Sequence, residues 1–126
     1  MYTCQKADEY IEKNRVDRAD KPEFHLTTPV GWLNDPNGFS IYGGKAHLFY
    51  QFHPYSTEWG PMHWGHSTSD DFIRWEELPT ALAPDSDYDA FGCFSGTAIE
   101  NDGKHVLFYT GVVEEKMADG TKNVIQ

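Results

Sequence analysis

Two runs of seven residues in this chain have nearly the same sequence. Residues 44–50 read GKAHLFY and residues 103–109 read GKHVLFY, and both follow a short apolar run and a turn that contains glycine. A strand, a tight turn and a second strand form a β-hairpin. Antiparallel strands that recur along a chain are typical of β-propellers, in which each blade has four strands. The repetition therefore favours a propeller, and the alternative is that both runs are simply the second strands of ordinary hairpins.

The rest of the pattern predicts an all-β chain behind a short N-terminal segment. Residues 5–19 are polar with a few apolar positions on one side, which predicts a short helix that ends before Lys21-Pro22. We expect residues 1–21 to form this helical or irregular lead-in and residues 22–126 to form the β domain. The predicted strands are 39–42, 45–52, 63–69, 73–78, 93–100, 104–112 and a last one that begins near Lys122.

The length of the chain limits how much of a propeller it can form. Its 126 residues hold about two of the repeated units, whereas a closed propeller has about 4–8 blades. The last predicted strand is still in progress at Gln126. We therefore expect about two blades, which form the N-terminal portion of a larger propeller.

Charge and composition exclude several classes of partner. The net charge is −10 and the isoelectric point is about 4.8, so the phosphates of a nucleic acid would be repelled. No run is long and apolar enough to cross a membrane, and the first residues lack the apolar segment of a signal peptide. The two cysteines, Cys4 and Cys93, are too few for a disulfide scaffold. These features predict a cytoplasmic protein without nucleic-acid or membrane partners, and no motif predicts a cofactor or a metal.

Two polar clusters resemble metal sites but lack the spacing that such sites need. His63 and His66 are three positions apart on a predicted strand, where side chains alternate, so they face opposite sides. The acidic run 85–89 begins like a calcium loop, but Ala90 replaces the required glycine and Gly96 replaces the bidentate glutamate. We interpret this run as a solvated acidic loop.

Asp35 is the one acid in the stretch VGWLNDPNGFSIYGG, residues 30–44. Asn, Asp, Pro and Gly together predict a turn, and Pro36 favours an extended conformation for Asp35. A turn alone does not require Trp32 and Leu33 just upstream. The segment would hold a carboxylate beside an indole at the inner end of a strand, and inner strands of a propeller line its central channel, a natural concave site. The residues therefore predict a turn that holds a poised acid near aromatic side chains.

Five blocks of sequence, in order along the chain, carry a resemblance to a known family. They are WLNDPNG at 32–38, FYQFHP at 49–54, WGPMHWGH at 59–66, Trp75 with LPTALAP at 78–84, and GCFSG at 92–96. Each is similar to a signature block of glycoside hydrolase family 32, which includes invertases, sucrose-6-phosphate hydrolases, levanases and inulinases. The resemblance extends over roughly residues 22–126.

This resemblance implies a five-bladed β-propeller and an enzyme that cleaves the β-fructofuranosidic bond of sucrose or sucrose-6-phosphate with retention of configuration. Asp35 matches the nucleophile of the family. Retention needs a second carboxyl group about 5–5.5 Å from the nucleophile, which protonates the leaving oxygen. The implied partner is a small sugar, namely sucrose, sucrose-6-phosphate or a fructan. The positions that match substrate contacts are Trp32, Leu33, Asn34, Gln51, Trp59, Phe94 and Ser95.

Two further motifs of that family do not occur in these residues. Neither Arg-Asp-Pro, which carries an Asp that stabilises the transition state, nor Glu-Cys, which carries the acid/base Glu, is present. Glu58, Glu76 and Glu77 are predicted at turn or outer-strand positions, and we do not expect them to replace the acid. We therefore expect this chain alone to be inactive and to belong to a longer polypeptide. The alternatives are a non-catalytic sugar-binding relative, a fructosyltransferase, or a hydrolase of fructans such as levan or inulin.

Overall fold

The computed structural model describes residues 1–17, 19 and 21–126, which are mostly β-structure. Helix α1 spans Cys4–Asn14. The strands of the described part are β1 Trp32–Tyr42, β2 Lys45–His53, β3 His63–Ser69, β4 Glu76–Leu82, β5 Gly92–Asn101, β6 Lys104–Lys116 and β7 Lys122–Ile125. They form two antiparallel sheets, of order β1-β2-β3-β4 and β5-β6-β7. The prediction of a mainly β chain behind a short helix is confirmed.

Helix α1 is capped at its N-terminus and lies against the first sheet. The Thr3 hydroxyl accepts a hydrogen bond from the backbone N of Lys6, which is an N-cap. The helix ends at Asn14, earlier than predicted, and residue 18 of the predicted helix lies outside the described residues, as does residue 20 of the lead-in. Asp8 accepts a hydrogen bond from the backbone N of Thr80 in β4, which attaches the helix to the sheet. Among residues 1–17, 19 and 21–126, no helix has the length and apolar character needed to cross a membrane.

The first sheet is a meander, because each of its strands pairs with the next one along the chain. Gly43 and Gly44, with φ angles of 57° and 81°, form the predicted turn between β1 and β2. Strand β3 has the predicted bounds. Strand β4 begins later than predicted, because Asp71 Oδ1 accepts hydrogen bonds from the backbone N–H groups of Ile73 and Arg74 and holds that segment in a loop.

The second sheet repeats the hairpin of the first. Asp102 and Gly103, both with positive φ, form the turn between β5 and β6, so the two similar runs 44–50 and 103–109 both lead into the second strand of a hairpin. Strand β6 continues to Lys116, further than predicted, because its last residues pair with β7. The start of β7 at Lys122 is as predicted.

The predicted turn at residues 34–38 is wrong, because this stretch lies inside strand β1. Pro36 pairs with Tyr50 of β2, and the register shifts on both sides of it, between Leu33 and Pro36 and again after Asn37. Pro36 has no N–H to donate to the ladder, and Gly38 adopts a φ of 57°. These residues therefore produce irregularities within a continuing strand rather than a chain reversal.

The hydrophobic core forms two clusters, one between the sheets and one beneath α1. The first contains the buried residues Phe49, Trp64, Cys93 and Ala98, which come from both sheets. The second contains Val30, Tyr50 and Phe52, against which Tyr10, Ile11, Leu26 and Leu33 pack. The opposite faces of β2 thus reach different clusters, since side chains alternate along a strand.

Three histidines lie where the two sheets meet. His47 Nε2 is 3.1 Å from the Tyr42 carbonyl oxygen, which can only accept, so this nitrogen carries the proton. In neutral His47 the other nitrogen, Nδ1, then accepts from His66 Nε2 at 2.9 Å. His105 of β6 contacts the Ser40 hydroxyl of β1 at 2.8 Å, and its ring centroid is 4.8 Å from that of His47. Burial, followed by the charges that His47 and His105 would carry, lowers the pKa of His66 to about 4.

We expect the free energy of unfolding to fall as the pH is lowered from about 6.5 to about 4. Burial also lowers the pKa of His63 to about 4, and both groups titrate near 6.5 in an unfolded chain. Within this window the unfolded chain binds more protons than the folded one, so acid favours unfolding. The urea midpoint should therefore be lower at about pH 5 than at about pH 7.5.

Single histidine variants test the source of this pH dependence. His66→Gln should reduce the difference between the two urea midpoints, because the variant has one titrating group fewer. His25 is exposed, so His25→Gln is the matched control and should leave the difference unchanged. Equal midpoints at the two pH values, or equal pH dependence of these two variants, would contradict the assignment.

Candidate active site

Asp35 lies on β1 at the place where the two sheets approach each other. Its carboxylate is exposed, and Oδ2 accepts a hydrogen bond from the hydroxyl of Ser95 on β5 at 3.2 Å. The two residues are 60 positions apart in the sequence. An exposed carboxylate held by a hydroxyl from a different sheet has a defined orientation and can still be reached by a small molecule.

The local sequence explains how β1 presents Asp35. Pro36 keeps the preceding residue extended, and the register shifts on either side of Pro36 free this segment from regular pairing. Gly38 lets the backbone approach the core, because a Cβ at this position would lie 2.7 Å from the Phe49 ring and 3.3 Å from that of Trp64. The acid therefore sits on an irregular strand that is packed directly against the inter-sheet cluster.

Three of the predicted substrate contacts are the neighbours of Asp35 on β1. Trp32 Nε1 donates a hydrogen bond to Asn34 Oδ1 at 2.8 Å, and both side chains are half-buried. Leu33 is also half-buried but packs against the cluster of Val30, Tyr50 and Phe52. The structure places Trp32 and Asn34 in contact with each other, whereas Leu33 contributes to packing beneath α1.

Besides the Ser95–Asp35 contact, three hydrogen bonds attach the segment of β5 that carries Ser95 to the first sheet and to Met62, the residue before β3. The backbone N of Cys93 donates to the Met62 carbonyl at 2.8 Å, and the buried Gln51 side chain donates to the Cys93 carbonyl at 2.9 Å. The indole N–H of Trp64 donates to the Phe94 carbonyl at 3.1 Å. Gln51, predicted as a substrate contact, thus lies beneath the site and fixes the backbone of β5.

An aromatic group borders the site. Trp59 is 48% exposed, and its ring meets that of Phe94 edge-on with centroids 6.2 Å apart. The ring of Phe91 is 5.9 Å from that of Trp59. Phe94 directly precedes Ser95 on β5, and partly exposed aromatic rings of this kind suit the apolar faces of sugar rings.

The structure links the predicted site residues pairwise, and Ser95 is the one that contacts Asp35. Asp35 contacts Ser95, whose neighbour Phe94 contacts Trp59, and the Trp32–Asn34 pair lies on the same strand as Asp35. Cavities of about 240 and 220 Å³ lie elsewhere, and Glu77 lines both of them. Since these cavities do not include Asp35, we assign the site from the arrangement of its side chains and not from the cavities.

The glutamates of β4 are far from Asp35 within the first sheet. Strand β4 is at one edge of the sheet and β1 is at the other. Glu77 forms an ion pair with Arg15, and Glu76 lies 3.8 Å from the Lys45 ammonium group. This placement agrees with the expectation that neither glutamate replaces a missing acid.

His63 and His66 face opposite sides of β3, as predicted. His63 Nδ1 donates to the Pro61 carbonyl at 2.9 Å, and its ring lies 5.5 Å from that of Tyr2. The ring of His66 is instead stacked on Phe49 at 4.1 Å. Within the described part of the chain, no three His, Cys, Asp or Glu side chains are grouped so that they could hold a metal ion.

Asp89 is the residue that the sequence interpretation missed. Asp85 and Asp87 are exposed, as expected for a solvated acidic loop, but Asp89 is only 2% exposed. The prediction of a solvated loop is therefore wrong at this residue. No local signal indicated this burial, since the neighbouring Tyr88 is 66% exposed and Asp89 is held by Cys93 and Tyr109 of the second sheet.

Comparison with known sequences places this arrangement in a family. The sequence profile described as the glycosyl hydrolases family 32 N-terminal domain matches residues 25–126. This chain belongs to glycosyl hydrolase family 32. Sucrose-6-phosphate hydrolase of Escherichia coli is 55% identical to the family-32 chain over 92 residues, which are 73% of this chain and 19% of that enzyme. Levanase of Bacillus subtilis strain 168 is 47% identical over 111 residues, 88% of this chain and 16% of that enzyme.

Solved structures of family 32 agree with the fold. The Bombyx mori beta-fructofuranosidase BmSUC1 superposes with a TM-score of 0.83 and 47% identity, and the match covers 95% of this chain and 25% of that chain. A mutant of the same enzyme, solved in complex with sucrose, has a TM-score of 0.83 and 46% identity. The family-32 chain thus spans less than one third of the length of each of these relatives.

Proposed function

We propose that this chain supplies the nucleophile of a β-fructofuranosidase that cleaves sucrose or sucrose-6-phosphate with retention. The observation that carries the proposal is the contact between Ser95 and Asp35, which orients an exposed carboxylate inside the WLNDPNG block. The relative from Escherichia coli is named for sucrose-6-phosphate hydrolysis, and the silkworm enzyme has been solved with sucrose. The proposed partner is therefore a sucrose-type sugar.

We also propose that the two sheets are blades of a five-bladed propeller. Each sheet is an antiparallel meander in chain order, which is the form of a propeller blade. The first has four strands, and the described part of the second has three. Residues 22–126 would form about two blades of the N-terminal portion, and residues 1–21 would be the lead-in, whose helix α1 packs on the first sheet.

In the proposed reaction an oxygen of Asp35 attacks the anomeric carbon of the fructosyl group. The bond from this carbon to the leaving oxygen breaks, and a carboxylic acid gives that oxygen its proton. Water, deprotonated by the same group, then attacks the anomeric carbon and releases Asp35. Ser95 would hold the carboxylate, and sugar contacts would come from Trp32, Asn34, Trp59 and Phe94.

The acid is the part of the mechanism for which this chain offers no candidate. A general acid contributes about 10²–10⁴ in rate, because an unprotonated leaving oxygen departs slowly. We therefore expect residues 1–126 alone to release fructose from sucrose at a negligible rate. Fructose release by the purified chain that is lost on Asp35→Ala would contradict this expectation.

A chimera tests the proposed activity directly. This chain would replace the matching segment of the Escherichia coli sucrose-6-phosphate hydrolase, to which it is 55% identical. We expect the chimera to release fructose from sucrose and, in the presence of methanol, to form methyl β-fructofuranoside, because retention preserves the anomeric configuration. A folded chimera without hydrolysis would favour a non-catalytic sugar-binding relative, and an α-fructofuranoside would exclude retention.

Fructan hydrolysis is the second candidate function. It is favoured by the 47% identity to levanase of Bacillus subtilis. Assays of the chimera on levan, inulin and sucrose would separate the two, since a sucrose-specific site would act on sucrose alone. Oligofructosides that accumulate at high sucrose would instead indicate fructosyl transfer.

A further inference from the structure

Asp89 is a buried carboxylate with three donors directed at it. Its Oδ2 accepts from the Tyr109 hydroxyl at 2.8 Å and lies 3.6 Å from the Cys93 sulfur, while Oδ1 accepts from the backbone N of Ser86 at 2.9 Å. Burial of a carboxylate is costly unless such partners compensate for the lost water. Because Asp89 is only 2% exposed and is contacted by three donors, its contacts need an explanation beyond space filling.

The contacts of Asp89 lie on both sides of Ser95. Cys93 precedes Ser95 by two positions, and Tyr109 of β6 pairs with Gly96, the residue after Ser95. The register of β5 shifts between Phe94 and Gly96, so Ser95 is the extra residue of a β-bulge. A bulged residue has no partner of its own on the opposite strand, and its direction therefore depends on how its flanks are held.

The backbone on both sides of this bulge, at Cys93 and at Gly96, is tightly held. A Cβ on Gly96 would lie 1.9 Å from the Phe108 carbonyl oxygen, so β5 and β6 are in close contact there. On the other flank, Cys93 is already bonded through its backbone to Met62, the residue before β3, and to Gln51 of β2. Asp89 connects the two flanks through the Cys93 thiol and the Tyr109 hydroxyl.

The protonation of both partners suits this role. Burial, followed by the charge of Asp89, raises the pKa of the Cys93 thiol. Burial, followed by the hydrogen bond to Asp89, raises the pKa of the Tyr109 hydroxyl. Both groups thus keep their protons at neutral pH and remain donors to the carboxylate.

We propose that Asp89 is a positioning residue, which holds both flanks of the β5 bulge so that the Ser95 hydroxyl stays on Asp35. The proposal rests on the proposed function only in treating Asp35 as the reacting group. It predicts that a change at Asp89 alters the surroundings of the Asp35 carboxylate, although the two side chains are not in contact.

The test is the ¹³C resonance of the Asp35 carboxyl carbon, measured by NMR at neutral pH in this chain. Ser95→Ala gives the resonance position without the hydroxyl. Asp89→Leu should move the resonance most of the way to that position, because it removes the acceptor from both flanks. Asp89→Asn should leave it near the wild-type position, because the amide oxygen can still accept from Ser86 and the amide can still bond the Tyr109 hydroxyl.

A matched control and a milder variant complete the test. Asp87→Leu makes the same change at an exposed acid of the same loop and should not move the Asp35 resonance. Tyr109→Phe removes one donor to Asp89 and should shift the Asp35 resonance in the same direction as Asp89→Leu, but by less. If Asp89→Leu does not fold, Tyr109→Phe is the variant that tests the proposal. An unchanged Asp35 resonance in folded Asp89→Leu, or in Tyr109→Phe if only that variant folds, would overturn the proposal. Because no substrate is used, this result is independent of whether the chimera hydrolyses sucrose.

Discussion

Asp35→Asn is expected to lower kcat/KM of the chimera for sucrose by at least about 10⁴-fold, the scale on which removal of a covalent nucleophile reduces turnover. Asparagine has nearly the same shape, and its carbonyl oxygen can still accept the hydrogen bond from Ser95. It has no negative charge, however, and cannot form the covalent fructosyl intermediate. The loss would therefore come from chemistry and not from a disturbed site.

Two measurements separate this effect from unfolding. The thermal midpoint of Asp35→Asn should equal that of the unsubstituted chimera, because Asp35 is exposed and contributes little to the core. Asp87→Asn is the matched control, since the same change at another exposed acid should leave kcat/KM unchanged. An Asp35→Asn variant that keeps the full rate would show that the nucleophile is a different residue.

Ser95→Ala should cause a smaller loss than Asp35→Asn. The variant keeps the carboxylate but removes the hydroxyl that donates to it. A misaligned nucleophile loses part of the advantage of a fixed geometry, while the chemical group remains. In the same assay kcat should fall more than KM rises, because the hydroxyl acts on the reacting group. A loss equal to that of Asp35→Asn would indicate that Ser95 itself takes part in the chemistry.

Hairpins could be predicted from the sequence because their signals are local. The Gly43-Gly44 turn and the turn at Asp102-Gly103 need positive φ angles, and Gly and Asp are the residue types that favour such angles in hairpin turns. Strand β3 could be predicted to the residue, because its apolar and polar positions are bounded by clear turn signals. Each of these elements depends on residues that are near one another in the chain.

The predicted turn at residues 34–38 failed for the opposite reason. Asn, Asp, Pro and Gly favour a turn locally, but β2 pairs with Pro36 and Asn37 and with the residues on both sides of the segment, which keeps it extended. Pro36 and Gly38 therefore appear as irregularities of a strand. Tertiary pairing outweighed local preference here, and the result places the acid on a strand instead of a loop.

The site divides in the same way. Asp35 and its neighbours could be proposed as site residues from the contiguous WLNDPNG block, and their roles stay predictions. The hydrogen bond from Ser95 and the burial of Asp89 could not, since both depend on how the second sheet packs against the first. Such contacts join residues that no local pattern relates, and only the folded chain brings them together.

Trp64→Ala is expected to lower the free energy of unfolding by about 3–5 kcal/mol, the usual cost of deleting a large aromatic side chain from a core. Trp64 is fully buried, lies 5.5 Å from the Phe49 ring, and shares the inter-sheet cluster with Cys93. Its indole also donates to the Phe94 carbonyl, so the variant loses a contact between the sheets. Since small domains have only about 5–15 kcal/mol of stability, much of the chain should be unfolded in moderate urea.

The exposed tryptophan of the site provides the matched control. Trp59→Ala makes the same chemical change at a side chain that is 48% exposed, and the urea midpoint should move far less than in Trp64→Ala. Trp64→Phe should give an intermediate midpoint, because it fills most of the space but leaves the Phe94 carbonyl without its donor. If Trp64→Ala and Trp59→Ala lowered the midpoint equally, the inter-sheet cluster would not be the core of this chain. If Trp64→Phe matched the wild type, the space filled by the ring, and not the hydrogen bond, would account for the contribution of Trp64 to joining the sheets.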